Sequence, residues 1–222
     1  MSLDNPKQRI AEVLSSYRGA LIAYSGGIDS TLLAALAHKV YGSRMLAVFA
    51  HSPFISESAQ AQAREVAAAV GFPYQEIEHP GFATMPAEDA VLLNNPQNRC
   101  YLCKRSLLEA LGSLAAKQGF SAILHGENLD DLGEDRPGAR AAAELGVISP
   151  FVAAKIDKRC IRALAREMHL PNADAPSDSC LATRLPYDTP IHTSRLQAVA
   201  QTEAALREIF PDATKIRARF TH

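Results

Sequence analysis

The chain has 222 residues, of which 47% are hydrophobic and 21% are charged, with 23 Lys and Arg against 24 Asp and Glu. These values are ordinary for a soluble globular protein and exclude disordered and fibrous classes, and at roughly 100–200 residues per domain the length suits one large domain or a core with a small appendage. The net charge of −1 gives no electrostatic case for wholesale binding of nucleic acid or membranes, although a local basic patch stays open.

The four cysteines, at positions 100, 103, 160 and 180, are too few and too unevenly spaced for a disulfide scaffold. One close pair and two single residues indicate chemistry in a reducing compartment. The N-terminal sequence MSLDNPKQRI has no apolar signal-peptide region, and the longest apolar runs fall far short of the ~18 residues that a membrane span needs. We therefore expect a cytoplasmic protein.

Predicted strands and helices alternate along most of the chain. Short apolar runs predict buried strands at residues 20–24, 45–50, 73–77, 121–125 and 147–150. Apolar residues at helical spacing predict helices that begin at Asn5, follow SGGIDS, end at Gly71, cover 101–117, run from Asp157 to Pro171, and cover 194–209. This alternation is typical of an α/β fold with a doubly wound, mainly parallel sheet.

The C-terminal part has a different character. Residues 171–192 hold four of the 13 prolines and are predicted to form a loop. The helix over 194–209 and a predicted strand over 215–220 indicate the opening of a small α+β domain. We therefore expect residues 1–180 to form the core domain and residues 181–222 to begin a C-terminal substrate-binding domain that is incomplete at His222.

The strongest local motif is Ser25-Gly26-Gly27-Ile28-Asp29-Ser30, between a predicted strand and a predicted helix. Adjacent glycines let the backbone approach an anion closely, and the free amides at the helix start attract phosphate. Ser25 and Ser30 add hydroxyl donors, while Asp29 can order the turn or hold Mg²⁺. The lysine of the Walker pattern is absent. The motif predicts a phosphate-binding loop, and the alternative is a glycine turn that only caps a helix.

Cys100 and Cys103 extend the apolar stripe of the helix predicted over 101–117 back to its start. A spacing of three places both thiols on one face of the first turn, where the helix dipole lowers a thiol pKa. Two small core residues or a thioredoxin-like redox pair are the alternatives. A zinc site would need four ligands, and neither a second C-x-x-C nor a paired His is present.

Cys180 lies in a loop of small and polar residues and has no apolar stripe to join, so we interpret it as functional. Arg184, four residues later, can stabilise its thiolate or hold an anionic substrate. Cys160 adjoins Ile161 on a regular amphipathic helix, and we interpret it as structural.

The polar segment HGENLDD, residues 125–131, directly follows a predicted strand. In doubly wound sheets ligands bind beyond the carboxyl ends of the strands, so we expect this segment at the same cleft as SGGIDS. Asn128 and Asp131 are its candidate cofactor-binding residues. The alternative is a solvated acidic loop.

Five segments, in this order, closely resemble the LarE family of ATP-dependent sulfur transferases: SGGIDST, NRCYLCK, HGENLDDLGEDRPG, ELGVISP and SDSCLATRLPYDTPI. The resemblance covers residues 18–220 and identifies SGGIDS as the pyrophosphate loop (PP-loop) of the ATP pyrophosphatases. It implies that ATP and Mg²⁺ serve to adenylate a carboxylate of pyridinium-3,5-biscarboxylic acid mononucleotide, in nickel-pincer cofactor synthesis. Sulfur then displaces AMP, and a second cycle gives the dithio product. The resemblance also implies a homo-oligomer.

The resemblance leaves two sulfur sources. One branch of the family carries a single cysteine at the position of Cys180 and gives up its side-chain sulfur, leaving dehydroalanine. Another carries C-x-x-C as well, resembling Cys100 and Cys103 here, and holds a 4Fe-4S cluster. Three thiolates leave one iron open to an extra sulfide. We favour the cluster form, with Cys100, Cys103 and Cys180 as catalytic residues and iron ligands.

A substrate with carboxylates and a phosphate needs cations, and the candidates are Arg184, Arg217 and Arg219, the last two alternating on one face of the predicted strand. Ordinary surface arginines on an edge strand are the alternative. Two other function classes stay open. A tRNA-thiolating enzyme would combine the loop with three cysteines, but the net charge of −1 argues against an RNA-binding surface. A non-catalytic iron-sulfur or redox module would leave SGGIDS unexplained.

Overall fold

A single parallel sheet organises the chain in the computed structural model, which describes residues 5–83, 91–133, 137–176 and 178–220. The sheet order is β3-β2-β1-β4. The strands are β1 (Ala20–Tyr24), β2 (Met45–His51), β3 (Tyr74–Glu78) and β4 (Ala122–Leu124). The α/β class with a parallel sheet is confirmed.

Helices connect and flank these strands. They are α1 (Pro6–Ser15), α2 (Ile28–Tyr41), α3 (Glu57–Val70), α4 (Pro80–Ala83), α5 (Arg99–Gln118), α6 (Pro137–Glu144), α7 (Pro150–Ala153), α8 (Lys158–Glu167) and α9 (Thr193–Ile209). Short 3-10 turns cover Gly42–Arg44, Val91–Asn94, Leu129–Gly133 and Leu181–Arg184. The two predicted caps form: Asn5 accepts the Lys7 amide at 3.0 Å and Asp157 accepts the Cys160 amide at 2.7 Å.

The central strand β1 is buried along its whole length. Because successive side chains of a strand point to opposite faces, its residues divide between two cores. Ala20, Ile22 and Tyr24 pack with α1, α2 and α8 on one face. Leu21 and Ala23 pack with α5 and α6 on the other. Helices on both faces make the sheet doubly wound, as predicted.

The strand predicted over 147–150 is reduced to one bridge. Ile148 pairs in parallel with Leu124, its amide donating to the Ile123 carbonyl at 2.9 Å. Pro150 then begins α7, and a proline has no amide to continue a ladder but suits the first turn of a helix.

The strand predicted over 215–220 does not form, and the described residues there have no regular structure. Single bonds hold this segment instead: the Ala218 amide donates to Glu203 Oε1 at 3.1 Å and the Phe220 amide to the Arg184 carbonyl at 2.9 Å. Alternating side chains form a strand only where a neighbouring strand offers a ladder, so this prediction was wrong.

A third apolar cluster joins the C-terminal segment to the sheet's carboxyl edge. Its buried members are Phe54, Leu92, Leu181, Ala182, Leu185, Ile191, Leu196 and Val199, with Cys103 and Cys180 packed against them. Helix α9 thereby sits beside the loop that carries Cys180. Among the described residues, none of the helices has the length and apolar character needed to cross a membrane.

Candidate functional site

The SGGIDS loop leaves β1 at the carboxyl edge of the sheet and turns directly into α2. Gly26 has φ +78°, and a Cβ there would lie 2.7 Å from the Ala63 Cβ, so the position requires glycine. The Ser30 hydroxyl donates to the Gly27 carbonyl at 3.0 Å and accepts the Ser25 amide at 3.1 Å, which closes the turn. Among the described residues no side chain caps α2 at Gly27, so the first amides of α2 suit an anion.

The segment that follows β4 packs against this loop. A Cβ on Gly126 would lie 2.9 Å from the Ser30 amide nitrogen and 3.1 Å from the Asp29 Cβ, so the glycine lets two backbones meet. The buried Asn128 donates its side-chain amide to Asp131 Oδ2 at 2.8 Å, and its backbone amide reaches the same oxygen at 3.0 Å. These bonds order the turn beside the loop, which places both candidate cofactor residues there.

A lysine fixes the carboxylate of the loop. Lys158 Nζ lies 2.7 Å from Asp29 Oδ1 and 2.5 Å from Oδ2. Lys158 is the first residue of α8, and its backbone amide donates to Asp130 Oδ2 at 2.9 Å. A lysine after a helix cap is ordinary in a sequence, so no signal identifies Lys158 before the fold is known.

A buried polar cluster lies beside the loop. The Ser149 hydroxyl is 2.7 Å from His125 Nε2 and donates to Glu127 Oε2 at 2.9 Å. Burial, together with the charge of Lys104, lowers the pKa of His125 to about 3, so the ring is neutral. Burial also lowers the pKa of Lys104, against the opposing influence of Cys103 and Glu127. Lys104 is therefore close to both the thiols and the loop segment.

The structure brings the three candidate cysteines together at the carboxyl edge. Cys100 and Cys103 lie at the start of α5, and Cys180 precedes Leu181, whose amide donates to the Phe54 carbonyl at 2.8 Å. Burial, together with the neighbouring Cys180 and Cys100, raises the pKa of Cys103 to about 12. Burial therefore outweighs the lowering of the thiol pKa by the helix dipole that the sequence predicted for Cys103.

The three thiols are of the donor type that an iron-sulfur cluster takes. Cys103 and Cys180 border one apolar cluster, and a 4Fe-4S cluster takes cysteine thiolates on separate irons. Within the described ranges, no three His, Cys, Asp or Glu side chains are placed to hold a single metal ion. Cys160 lies apart on α8 and packs against the core of the opposite face.

Arg184 has a different environment from the open one that a substrate-binding arginine needs. It is 1% exposed, and its Nε and Nη2 donate to Glu203 at 2.8 and 3.1 Å. Nη2 also donates to Asp178 at 3.0 Å, and Nη1 to the Ser179 carbonyl at 2.6 Å. The guanidinium is saturated, so it orders the chain on both sides of Cys180.

Two adjoining cavities open at this edge. The larger, about 610 Å³, lies between the ends of β2 and β3, the start of α3 and the face of α9, with His51, Glu78 and Gln197 in its wall. The smaller, about 290 Å³, is lined by the cations Arg207, Lys215 and Arg217 and by the carboxylate of Asp178. Ser56 and Ser58 line both cavities. Arg219 is exposed and is not among the residues lining either one.

His79 is a site neighbour that sequence reasoning missed. It follows β3, is 3% exposed, and places Nε2 3.1 Å from the Cys103 carbonyl and 3.3 Å from its Sγ. Its Nδ1 accepts the Gly81 amide at 3.1 Å, so the ring proton sits on Nε2. The signal was available, because a polar residue directly after a parallel strand lies at the ligand-binding edge.

Comparison with known proteins agrees with this geometry. The family model described as thiamine biosynthesis protein (ThiI) matches residues 14–207. An uncharacterised protein of Synechocystis sp. is 35% identical over 219 residues, which cover 97% of this chain and 78% of that protein. An uncharacterised protein of Methanocaldococcus jannaschii is 34% identical over 197 residues, with 89% and 73% covered.

A third relative has a described activity. The pyridinium-3,5-bisthiocarboxylic acid mononucleotide synthase of Lactiplantibacillus plantarum is 30% identical over 221 residues, which cover 99% of this chain and 77% of that enzyme. The parallel sheet, the glycine loop at the end of β1 and these matches agree. The chain therefore belongs to the LarE family of ATP-dependent sulfur transferases, within the PP-loop ATP pyrophosphatases.

Proposed function

We propose that the protein converts the carboxylates of pyridinium-3,5-biscarboxylic acid mononucleotide into thiocarboxylates during nickel-pincer cofactor synthesis. One observation carries the proposal: Cys100 and Cys180 lie close enough to Cys103 for both to raise its pKa, at the same sheet edge as the phosphate-binding loop. Lys104 connects the two regions, because its pKa responds to both Cys103 and Glu127. The name of the Lactiplantibacillus relative gives the dithio product of this chemistry.

In the first half-reaction a substrate carboxylate oxygen attacks the α-phosphorus of ATP and pyrophosphate leaves. The amides of Gly27 and Ile28 and the hydroxyls of Ser25 and Ser30 would bind the departing pyrophosphate. Asp29, held by Lys158, would bind Mg²⁺, and Asn128 with Asp131 would support the loop from the β4 side. The product is an acyl-adenylate, in which AMP is a far better leaving group than an oxide ion.

The two cavities supply room and charge for the substrate. The cavity of about 610 Å³ is of the size that encloses a small molecule. Arg217 and its cationic neighbours in the smaller cavity would bind the substrate phosphate, with Arg219 next to them in sequence. Arg184 would act indirectly, by ordering the Cys180 loop. On this proposal residues 1–180 supply the ATP site and residues 181–222 the substrate side of a homo-oligomeric enzyme that acts on no nucleic acid.

In the second half-reaction sulfur attacks the acyl carbon, the carbon–oxygen bond to AMP breaks, and AMP leaves with the electron pair. Cys100, Cys103 and Cys180 would hold a 4Fe-4S cluster, which when bound would supply an iron open to an extra sulfide. The alternative source is the Cys180 sulfur itself. The apolar cluster beside Cys103 and Cys180 would limit the access of water, which hydrolyses an acyl-adenylate.

Metal content separates these sources. Anaerobic reconstitution with iron and sulfide should give about four irons per chain, the count of a single cubane cluster. Cys100→Ala and Cys180→Ala should each lose the iron, whereas the matched control Cys160→Ala should keep it. Unchanged iron in the first two variants would sink the cluster proposal. Intact-protein mass spectrometry after turnover then tests sacrifice, because that route removes one sulfur from Cys180.

A further inference from the structure

Asn172 ties the two ends of the pyrophosphate loop together from outside it. The residue follows α8 and is 4% exposed. Its Nδ2 donates to the Gly26 carbonyl at 2.9 Å and to Thr31 Oγ1 at 3.0 Å. Gly26 lies at the start of the loop and Thr31 in the first turn of α2, so one side-chain amide spans the whole anion-binding turn.

The chemistry of the two acceptors fixes which way this amide faces. The Thr31 hydroxyl donates its proton to the Gly27 carbonyl at 3.0 Å, so towards Asn172 it can only accept. The Gly26 carbonyl is likewise an acceptor. The nitrogen of the Asn172 amide must therefore face the loop. Its Oδ1 is buried without a hydrogen-bond partner in the described structure, a cost that the two donated bonds have to offset.

Asn172 is itself held on a firm support. Arg162, on α8, donates to the Ala173 carbonyl at 3.0 Å and to the Ala175 carbonyl at 3.2 Å. These bonds fix the segment that begins with Asn172 against the helix. The amide group therefore acts from a fixed position when it holds the Gly26 carbonyl.

Holding that carbonyl also sets the direction of the next amide. A trans peptide is planar, with its C=O and N–H on opposite sides. When Asn172 keeps the Gly26 oxygen on the protein side, the Gly27 N–H is turned to the other side, where it donates a long hydrogen bond of 3.4 Å to Ser25 Oγ, one of the hydroxyls assigned to the anion site. Gly26 has a left-handed φ of +78° and a permissive backbone, so side-chain contacts are needed to keep this peptide in one orientation.

We propose that Asn172 is a positioning residue for the pyrophosphate of ATP, acting by keeping the Gly26–Gly27 peptide in its anion-binding orientation. The proposal rests on the assignment of SGGIDS as the pyrophosphate site. It assigns to Asn172 a role in binding pyrophosphate and none in binding AMP, because its side chain donates hydrogen bonds to Gly26 and Thr31, in the loop and the first turn of α2.

The test compares binding of inorganic pyrophosphate and of AMP, both with Mg²⁺, by calorimetry. Asn172→Asp keeps the shape but sets an oxygen against the Gly26 carbonyl, and should weaken pyrophosphate about tenfold, or ~1.4 kcal/mol, with AMP unchanged. Thr31→Val, which removes one acceptor at constant shape, should give a smaller loss of the same kind. The matched control Asn5→Asp, at the exposed cap of α1, should change neither affinity.

The results of these binding measurements distinguish failure of the Asn172 role from failure of the pyrophosphate-loop assignment. Equal weakening of pyrophosphate and AMP, or no change in either, would overturn the positioning role. Should Asn172→Asp fail to fold, Asn172→Ala and Thr31→Val carry the same comparison without a buried carboxylate. A wild-type protein that binds AMP but not pyrophosphate would instead refute the loop assignment, and with it the basis of this proposal.

Discussion

Removal of the Glu203 carboxylate should destabilise the protein strongly, because it takes from the buried Arg184 its only buried carboxylate partner among the described residues and leaves the exposed Asp178. Glu203 and Arg184 are 2% and 1% exposed and share two hydrogen bonds. Removing one partner of such a pair costs about 3–5 kcal/mol. In a domain of about 150–250 residues, 1 kcal/mol corresponds to about 2–4 °C in Tm. Glu203→Ala should therefore lower Tm by about 6–20 °C.

Circular dichroism during heating measures this shift, and the same helix offers a control. Glu208 is exposed on α9, so Glu208→Ala should change stability by no more than about 0.5 kcal/mol. The double variant Arg184→Met with Glu203→Leu should recover most of the loss, because no charge is then buried. Equal Tm values for Glu203→Ala and Glu208→Ala would refute the reasoning. Faster alkylation of Cys180 in Glu203→Ala would show that the pair also orders the loop that carries Cys180.

Three further predictions follow from burial and close packing. Burial lowers the pKa of His125 to about 3, against ~6.5 in the unfolded chain, so the free energy of unfolding should fall by ~1.4 kcal/mol per pH unit on acidification below pH ~6.5. Urea unfolding at several pH values should show a weaker dependence of this free energy on pH for His125→Gln but not for the exposed His192→Gln. The same pH dependence in both variants would contradict the prediction. Gly126→Ala should raise the KM for ATP at least about tenfold by displacing the SGGIDS loop, whereas Gly112→Ala, where a new Cβ would lie 3.8 Å from its nearest neighbour, should not. Equal KM values for the two variants would show that close packing at Gly126 does not position the loop. Since burial raises the pKa of Cys103 to about 12, its alkylation, followed by peptide mass spectrometry, should be slow in the native protein and keep accelerating across a pH range of about 7–10; a plateau near pH ~8.5 would exclude that pKa.

The pattern of neighbouring residues was enough to predict the four strands of the sheet and the SGGIDS loop. The buried run of β1, the two glycines and the helix that follows are adjacent in sequence, so their geometry is set by neighbouring residues. The carboxyl-edge rule also placed the HGENLDD segment correctly, since Gly126 does pack on Asp29 and Ser30.

Partners from distant elements could not be predicted in the same way. Lys158 reaches Asp29 across 129 residues, and the Arg184 guanidinium is saturated by a glutamate on a different helix. Burial of the Cys103 thiol likewise depends on which segments cover the start of α5. The predicted strand over 215–220 failed for a related reason, because alternation does not reveal whether a neighbouring strand is present.

The most direct test of the account follows sulfur and pyrophosphate in one reaction. The protein is incubated anaerobically with Mg-ATP, sulfide and pyridinium-3,5-biscarboxylic acid mononucleotide, and the products are separated and identified by mass spectrometry. We expect one pyrophosphate and one AMP for each oxygen replaced by sulfur, and no product from Asp29→Ala with Ser30→Ala. Pyrophosphate release without a thiocarboxylate product, or product formed by that double variant, would contradict it.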